Sequence, residues 1–302
     1  MRLLEKYKTC LAEGRIDDAK GINEKICSCI RFEHHFRVKD LKEYARAQQG
    51  DECFAESIAL YNAAAVLYRN EDKERKSLEG MRLCVGGIHD ASQKLIEANK
   101  IAKTTMQNHV VPVMRKIKDD MEKVATDDNE MKCKEVVDVL RFISFSKKAI
   151  GKYANAETFL KESLTRMEKT HQKEVEKCSL YGRIYEDIGD LHLENSRTQD
   201  ARSSFERAIH IYASADDFSL LEEREGSKDR CRRKMIEQVR CFYLVNLNIR
   251  IWENVSKQKT PKHVKFLQSL HFRADSRPRK LMNNINATFW HLSPSTSKRF
   301  VA

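Results

Sequence analysis

The chain has 302 residues, 41% hydrophobic and 33% Asp, Glu, Lys or Arg, with only 4 Pro and 10 Gly. That is enough apolar material for a continuous core, and too little turn chemistry for a strand-rich fold, which needs punctuation every ~10 residues. The formal net charge of +11 is uneven: from Glu223 onward 18 Lys and Arg stand against 6 Asp and Glu, so the preceding body is close to neutral.

At the N-terminus, MRLLEKYKTCLAEGRIDD lacks the apolar run of a secretory signal, and nowhere does an apolar run approach the ~18 residues that span a bilayer. A cytoplasmic or nuclear address is the expectation. The nine cysteines are odd in number and scattered through helical patterns, which reads as buried thiols and not as a disulfide framework. In the first segment, 1–34, the spacing of Tyr7, Gly14, Ile16, Ala19 and Ile26 predicts two helices about a glycine turn. CSCIRFEHHF follows, with Cys27, Cys29, His34 and His35 close together. Zinc sites keep ~2–4 residues between paired cysteines, and adjacent histidines point to different sides of a helix, so no metal and no other cofactor is expected.

Segment 38–71 carries Leu41, Tyr44, Ala45, Gly50, Phe54, Ser57, Tyr61 and Ala64. Residues 72–136 are helical by pattern, with Gly86, Gly87 and Ala91 marking divergent helix pairs. Segment 137–170 has Leu140, Ile143, Ser144, Gly151, Tyr153, Ala156, Leu160 and Ser163. Segment 182–215 places Ile188, Gly189 and His192 on one helix and Ala201, Phe205 and Ala208 on the next, with NSRTQD between them. Small residues at 189 and 201 allow two helices to approach closely, and Phe205 fills the groove between them.

These four segments resemble the tetratricopeptide repeat, a helix pair of about 34 residues with Gly, Ala or Ser at one position of the first helix and Ala, an aromatic and Ala along the second. With Gly189 as position 8, Ala201, Phe205 and Ala208 take positions 20, 24 and 27. The spacing between repeats is longer than 34, similar to the long-helix variant in kinesin light chains and in spindle-orientation adaptors that bind G-protein subunits. The departures are Ala213 where Pro is customary and His192 where Tyr is. The resemblance implies an all-α fold, a right-handed α-α superhelix or solenoid of antiparallel helix pairs over 1–222, followed by a long basic capping helix at 223–260 and a basic segment at 261–302 that is partly helical or disordered.

The resemblance further implies that a partner peptide or helix lies in the concave groove, against positions 2, 5, 9, 12 and 13 of the first helices. Those positions hold Lys39, Lys42, Arg46 and Gln49 in one repeat, Arg141, Phe145 and Lys148 in another, and Arg183, Glu186 and Asp190 in the last. The groove then changes from basic to acidic along its length. The Lys and Asn clamp of the chaperone-binding subclass is absent, since position 9 is Arg46, Phe145 and Asp190.

In the tail, Arg230, Arg232, Arg233 and Lys234 crowd what reads as the first turns of a helix, against its macrodipole, and are expected to meet an acidic protein, nucleic acid or anionic lipid. No phosphate loop, nucleophile elbow or Cys-His signature is present, so the chain reads as a non-catalytic protein-binding scaffold or adaptor. The alternative is an accessory protein that uses the basic C-terminal segment on nucleic acid or an anionic membrane.

Overall fold

The computed structural model describes residues 2–237, apart from 33–37, 51–52, 71–72, 99–100, 102, 125 and 219–220. The fold is all-α, with no strand among the described residues. The helices are α1 (Arg2–Ala12), α2 (Ile16–Phe32), α3 (Val38–Gly50), α4 (Phe54–Tyr68), α5 (Glu74–Glu97), α6 (Lys103–Thr105), α7 (Val111–Lys123), α8 (Asn129–Ala149), α9 (Tyr153–His171), α10 (Ser179–Glu194) and α11 (Thr198–Ser214). A π-helical turn, Met106–Val110, joins α6 to α7. A further helix, α12, covers 221–237. The calls on the remainder of 223–260 and on 261–302 lie outside the described residues.

Consecutive helices pack as pairs: α1 on α2, α3 on α4, α8 on α9, α10 on α11, with α4 also against α5. Side-chain contacts fix their direction. Tyr212 lies against Gly182 and Phe205 against Gly189, while Tyr68 lies against Gly80 and Tyr61 against Gly87. One partner's number falls as the other's rises, so α10 runs antiparallel to α11 and α4 to α5. A Cβ on Gly189 would stand 2.5 Å from the Phe205 ring, and this close approach is why glycine is needed there.

Small residues also join the other pairs. Ser57 Oγ donates to the Ala45 carbonyl at 2.9 Å, and Ser144 Oγ donates to the Ala156 carbonyl at 3.0 Å. Both bonds span 12 residues and cross the same joint, with the hydroxyl on the second helix in one case and on the first in the other. The turns are alike as well. Arg15 N–H reaches Cys10 O, Lys152 N–H reaches Lys147 O and Arg197 N–H reaches His192 O, each closing a helix end around a left-handed residue. Gly14 and Gly151 supply that conformation in two turns, and Ser196, at φ 59°, supplies it in the third.

Helix α4 carries apolar residues on every side, and all of Ala55–Ala65 is buried. It touches α1, α2, α3, α5 and α7 and forms the centre of a core that runs from α1 to α8. A second cluster links α8 to α11, and a third joins Ala201, Phe205, Ala208 and Tyr212 to Cys231 of α12. Tyr44, in register with the repeat pattern, is 48% exposed.

Inside the first cluster, Tyr7 O–H and His109 Nε2 are 2.8 Å apart, both side chains buried, with His109 in the π-helical turn. Burial, then the charge of Lys20, pushes His109 down to about 4. The unfolded chain therefore binds the proton more tightly than the fold does, and this stability is present above pH 6.5 and lost as pH falls from there to about 4. Urea denaturation at pH 7 and pH 4.5 is expected to show the loss, and His109→Gln to reduce the difference; an unchanged pH dependence in that variant contradicts the assignment.

Candidate partner-binding face

Helices α5, α8, α10 and α12 lie side by side and run the same way. From α5 to α8, Arg82 meets Glu135, Gly86 meets Phe142 and His89 meets Ser146, so the numbers rise together. From α8 to α10, Arg141 meets Asp187 and Lys148 meets Glu194, at a constant separation of 46 residues. From α10 to α12, Arg230 meets Glu186 and Lys234 meets Asp190, both 44 residues apart. Helix α12 thus continues the row beside α10.

Most of the groove residues named from the sequence are used in these helix-to-helix contacts. Gln49 Nε2 donates to the Gly87 carbonyl of α5 at 2.9 Å. Arg141 donates to Asp187 at 2.5 Å and to Asp138 at 2.9 Å. Burial acts against its charge, but these two carboxylates outweigh burial and hold it protonated. Lys148 pairs with Glu194 at 3.1 Å. Phe145 is half-buried, its ring 5.8 Å from His89, with Arg141 and Lys148 each 5.8 Å from its centre. Burial and the charge of Lys148 push His89 down to about 4, so it is a neutral hydrogen-bond partner of Ser146 at 3.0 Å.

The acidic end is covered by the chain's own helix. Glu186 accepts from Arg230 at 3.0 Å, Lys234 at 2.9 Å and Tyr212 O–H at 2.9 Å, and Asp190 accepts from Lys234 at 2.7 Å. Burial alone would raise Glu186, but the hydrogen bonds from Arg230 and Lys234 bring it down to about 2. Arg183 lies 3.8 Å from Glu223 with both side chains exposed, a contact weakened by solvent.

The basic cluster of α12 also stands differently from its sequence reading. The helix is already formed at 221, so Glu222 and Glu223 occupy its early turns, where carboxylates suit the macrodipole, and the cations come later. Arg230 and Lys234 face inward to α10, Arg232 pairs with Asp229 at 2.8 Å, and Arg233 is exposed. Sequence reading missed Asp187, the partner of Arg141; its signal was a carboxylate inside an otherwise apolar helix face.

At the other end, α3 keeps free charge. Lys42 and Arg46 have no carboxylate partner among the described residues. Arg46 is exposed and its charge lies near the Tyr61 hydroxyl, whose ring rests on Gly87. Lys42 is half-exposed near Cys84, a thiol that burial pushes up to about 12. Lys39 belongs to α3, with its side chain outside what the structure describes. Cys27 accepts from Asn62 at 3.3 Å and Cys29 is exposed on α2, while His34 and His35 lie outside the described residues.

No helix among the described residues is long and apolar enough to cross a membrane. No family model matches the chain, and no curated protein matches it. Among solved structures, the crystal structure of BtubC (BKLC) from P. vanneervenii aligns over 82% of this chain and 93% of that one, at 12% identity and a TM-score of 0.43.

Proposed function

We propose that the chain is a non-catalytic adaptor of tetratricopeptide-like helix pairs that holds an acidic segment of a partner protein against the α3 end of its layer of first helices. The repeat reading draws on the recurring small-residue joints, Ala45 with Ser57 and Ser144 with Ala156, and on the close approach of Gly189 to Phe205. The observation that carries the choice of partner is the contrast in charge compensation. Arg141, Lys148, Arg230 and Lys234 are matched by carboxylates of the chain itself, whereas Lys42 and Arg46 have none among the described residues. Cations one helical turn apart on an exposed face attract a carboxylate-rich segment and can donate charge-assisted hydrogen bonds to it.

Fluorescence anisotropy with a panel of Glu- and Asp-rich peptides tests the reading. Binding is expected to weaken as salt rises, and Lys42→Glu combined with Arg46→Glu is expected to weaken it by about tenfold or more with circular dichroism unchanged. Undiminished binding by that double variant would reject the assignment.

A further inference from the structure

Helix α12 rests on α10 by charge more than by apolar burial. Of residues 221–237 only Ser227 and Cys231 are buried, and the large apolar side chains Leu221 and Ile236 are 70% and 64% exposed. Helix α10 beside it buries Tyr181, Ile184, Ile188 and Leu191. Hydrophobic attachment scales with the apolar area removed from water, and the Cys231 side chain with a partly buried Met235 supplies little of it. Charge-assisted hydrogen bonds do the rest. Arg230 donates to Glu186 at 3.0 Å, and Lys234 Nζ donates to Glu186 at 2.9 Å and to Asp190 at 2.7 Å. Arg230 and Lys234 stand one helical turn apart, as do Glu186 and Asp190, and Cys231 enters the cluster of Phe205 and Tyr212 between the two cations.

The helix pair beneath is joined without α12. Tyr212 lies against Gly182 and Phe205 against Gly189. The chain that leads to α12 is fixed separately: Asp217 accepts from the Ser179 N–H at 2.8 Å and from the Ser179 hydroxyl at 3.1 Å, and the Asp216 N–H donates to the Lys177 carbonyl at 2.9 Å. Departure of α12 leaves these contacts in place. It removes the only ion pairs that Glu186 and Asp190 have among the described residues, and Glu186 is 6% exposed. A carboxylate so placed is costly to leave without a cation, so the surface requires a basic occupant.

We propose that α12 is a displaceable occupant of a docking surface on α10, and that Glu186 and Asp190 receive in its place a helix of a partner protein that carries two cations one turn apart about a small apolar residue. The occupant's pattern is copied from Arg230, Cys231 and Lys234. This surface is separate from the α3 face and its assignment does not depend on that one.

The test uses the full chain and a fluorescent peptide of residues 221–237, read by anisotropy. Wild type is expected to bind the peptide weakly, because α12 holds the surface at the high effective concentration of a tethered segment. Arg230→Glu with Lys234→Glu, which unseats α12, is expected to bind it at least about tenfold more tightly than wild type. The same peptide with both cations replaced by Glu is expected to bind neither protein. Equal binding by wild type and variant, or undiminished binding of the Glu peptide, overturns the proposal. Hydrogen exchange of wild type decides the matter should the variant fail to fold: raising sodium chloride from about 0.05 M to about 0.5 M is expected to quicken exchange in 221–237 by about tenfold while 179–214 keeps its protection. Exchange that stays slow in 221–237, or that quickens in α10 and α11 together with it, makes α12 an integral part of the pair and overturns the proposal.

Discussion

Phe205→Ala is expected to lower the unfolding free energy by about 3–5 kcal/mol, the cost of emptying a large, fully buried aromatic site. The ring is 0% exposed and lies against Gly189, between α10 and α11, in the cluster that also holds Ala201, Ala208, Tyr212 and Cys231. It lies at a point of closest helix approach, where the backbones have little freedom to move inward and fill the space. The Lys234 ammonium also sits 5.7 Å from its centre, so the loss reaches the attachment of α12. Chemical denaturation at pH 7 measures the effect, with Ile209→Ala, at a partly buried position on the same helix, as the milder comparison. A loss below about 1 kcal/mol would show that the site collapses and that Phe205 is not the wedge of this pair.

Glu186→Ala is expected to cost about 3 kcal/mol, because it leaves Arg230, Lys234 and the Tyr212 hydroxyl without their shared acceptor. Its pH dependence has a definite sign. Glu186 is held at about 2, below the ordinary Glu value of 4.5, so its contribution is complete above pH 4.5 and disappears as pH falls toward 2. Burial raises Asp187 and Asp190 above the ordinary Asp value, more than their partners Arg141 and Lys234 lower them. They oppose the trend above pH 3.8, so the difference between wild type and Glu186→Ala isolates Glu186. Unfolding curves at pH 7, 4 and 2.5 should converge for the two proteins, and amide exchange in 221–237 should quicken in the variant at pH 7. Parallel curves with a constant gap would mean that the glutamate acts through packing and not through its charge.

The all-α class was legible because few glycines and prolines interrupt a charged, periodic chain. The contacts of Gly189 with Phe205 and of Ser144 with Ala156 were legible as small-residue spacing, because a close helix approach restricts which side chains fit. Partners on neighbouring first helices were not. Arg141 and Asp187 stand 46 residues apart, and no local period reports which carboxylate a cation will meet across such a span. For the same reason Glu186 and Asp190 read as open groove positions although Arg230 and Lys234 occupy them. The contact of Lys147 with Gln107 was hidden too, since Gln107 sits on a π-helical turn, and a local irregularity leaves no period in the sequence. Tyr44 stands in the opposite case, an aromatic in register with the repeat that is 48% exposed.

The serine joints carry a consequence for how this chain can diverge. Ser57 makes its bond from the second helix and Ser144 makes the corresponding bond from the first, across the same 12-residue span. The hydroxyl and the methyl can therefore trade sides without altering the joint. Among descendants of one ancestral gene, such exchanges would register as paired substitutions, each position looking unconstrained on its own while the two together conserve a single bond.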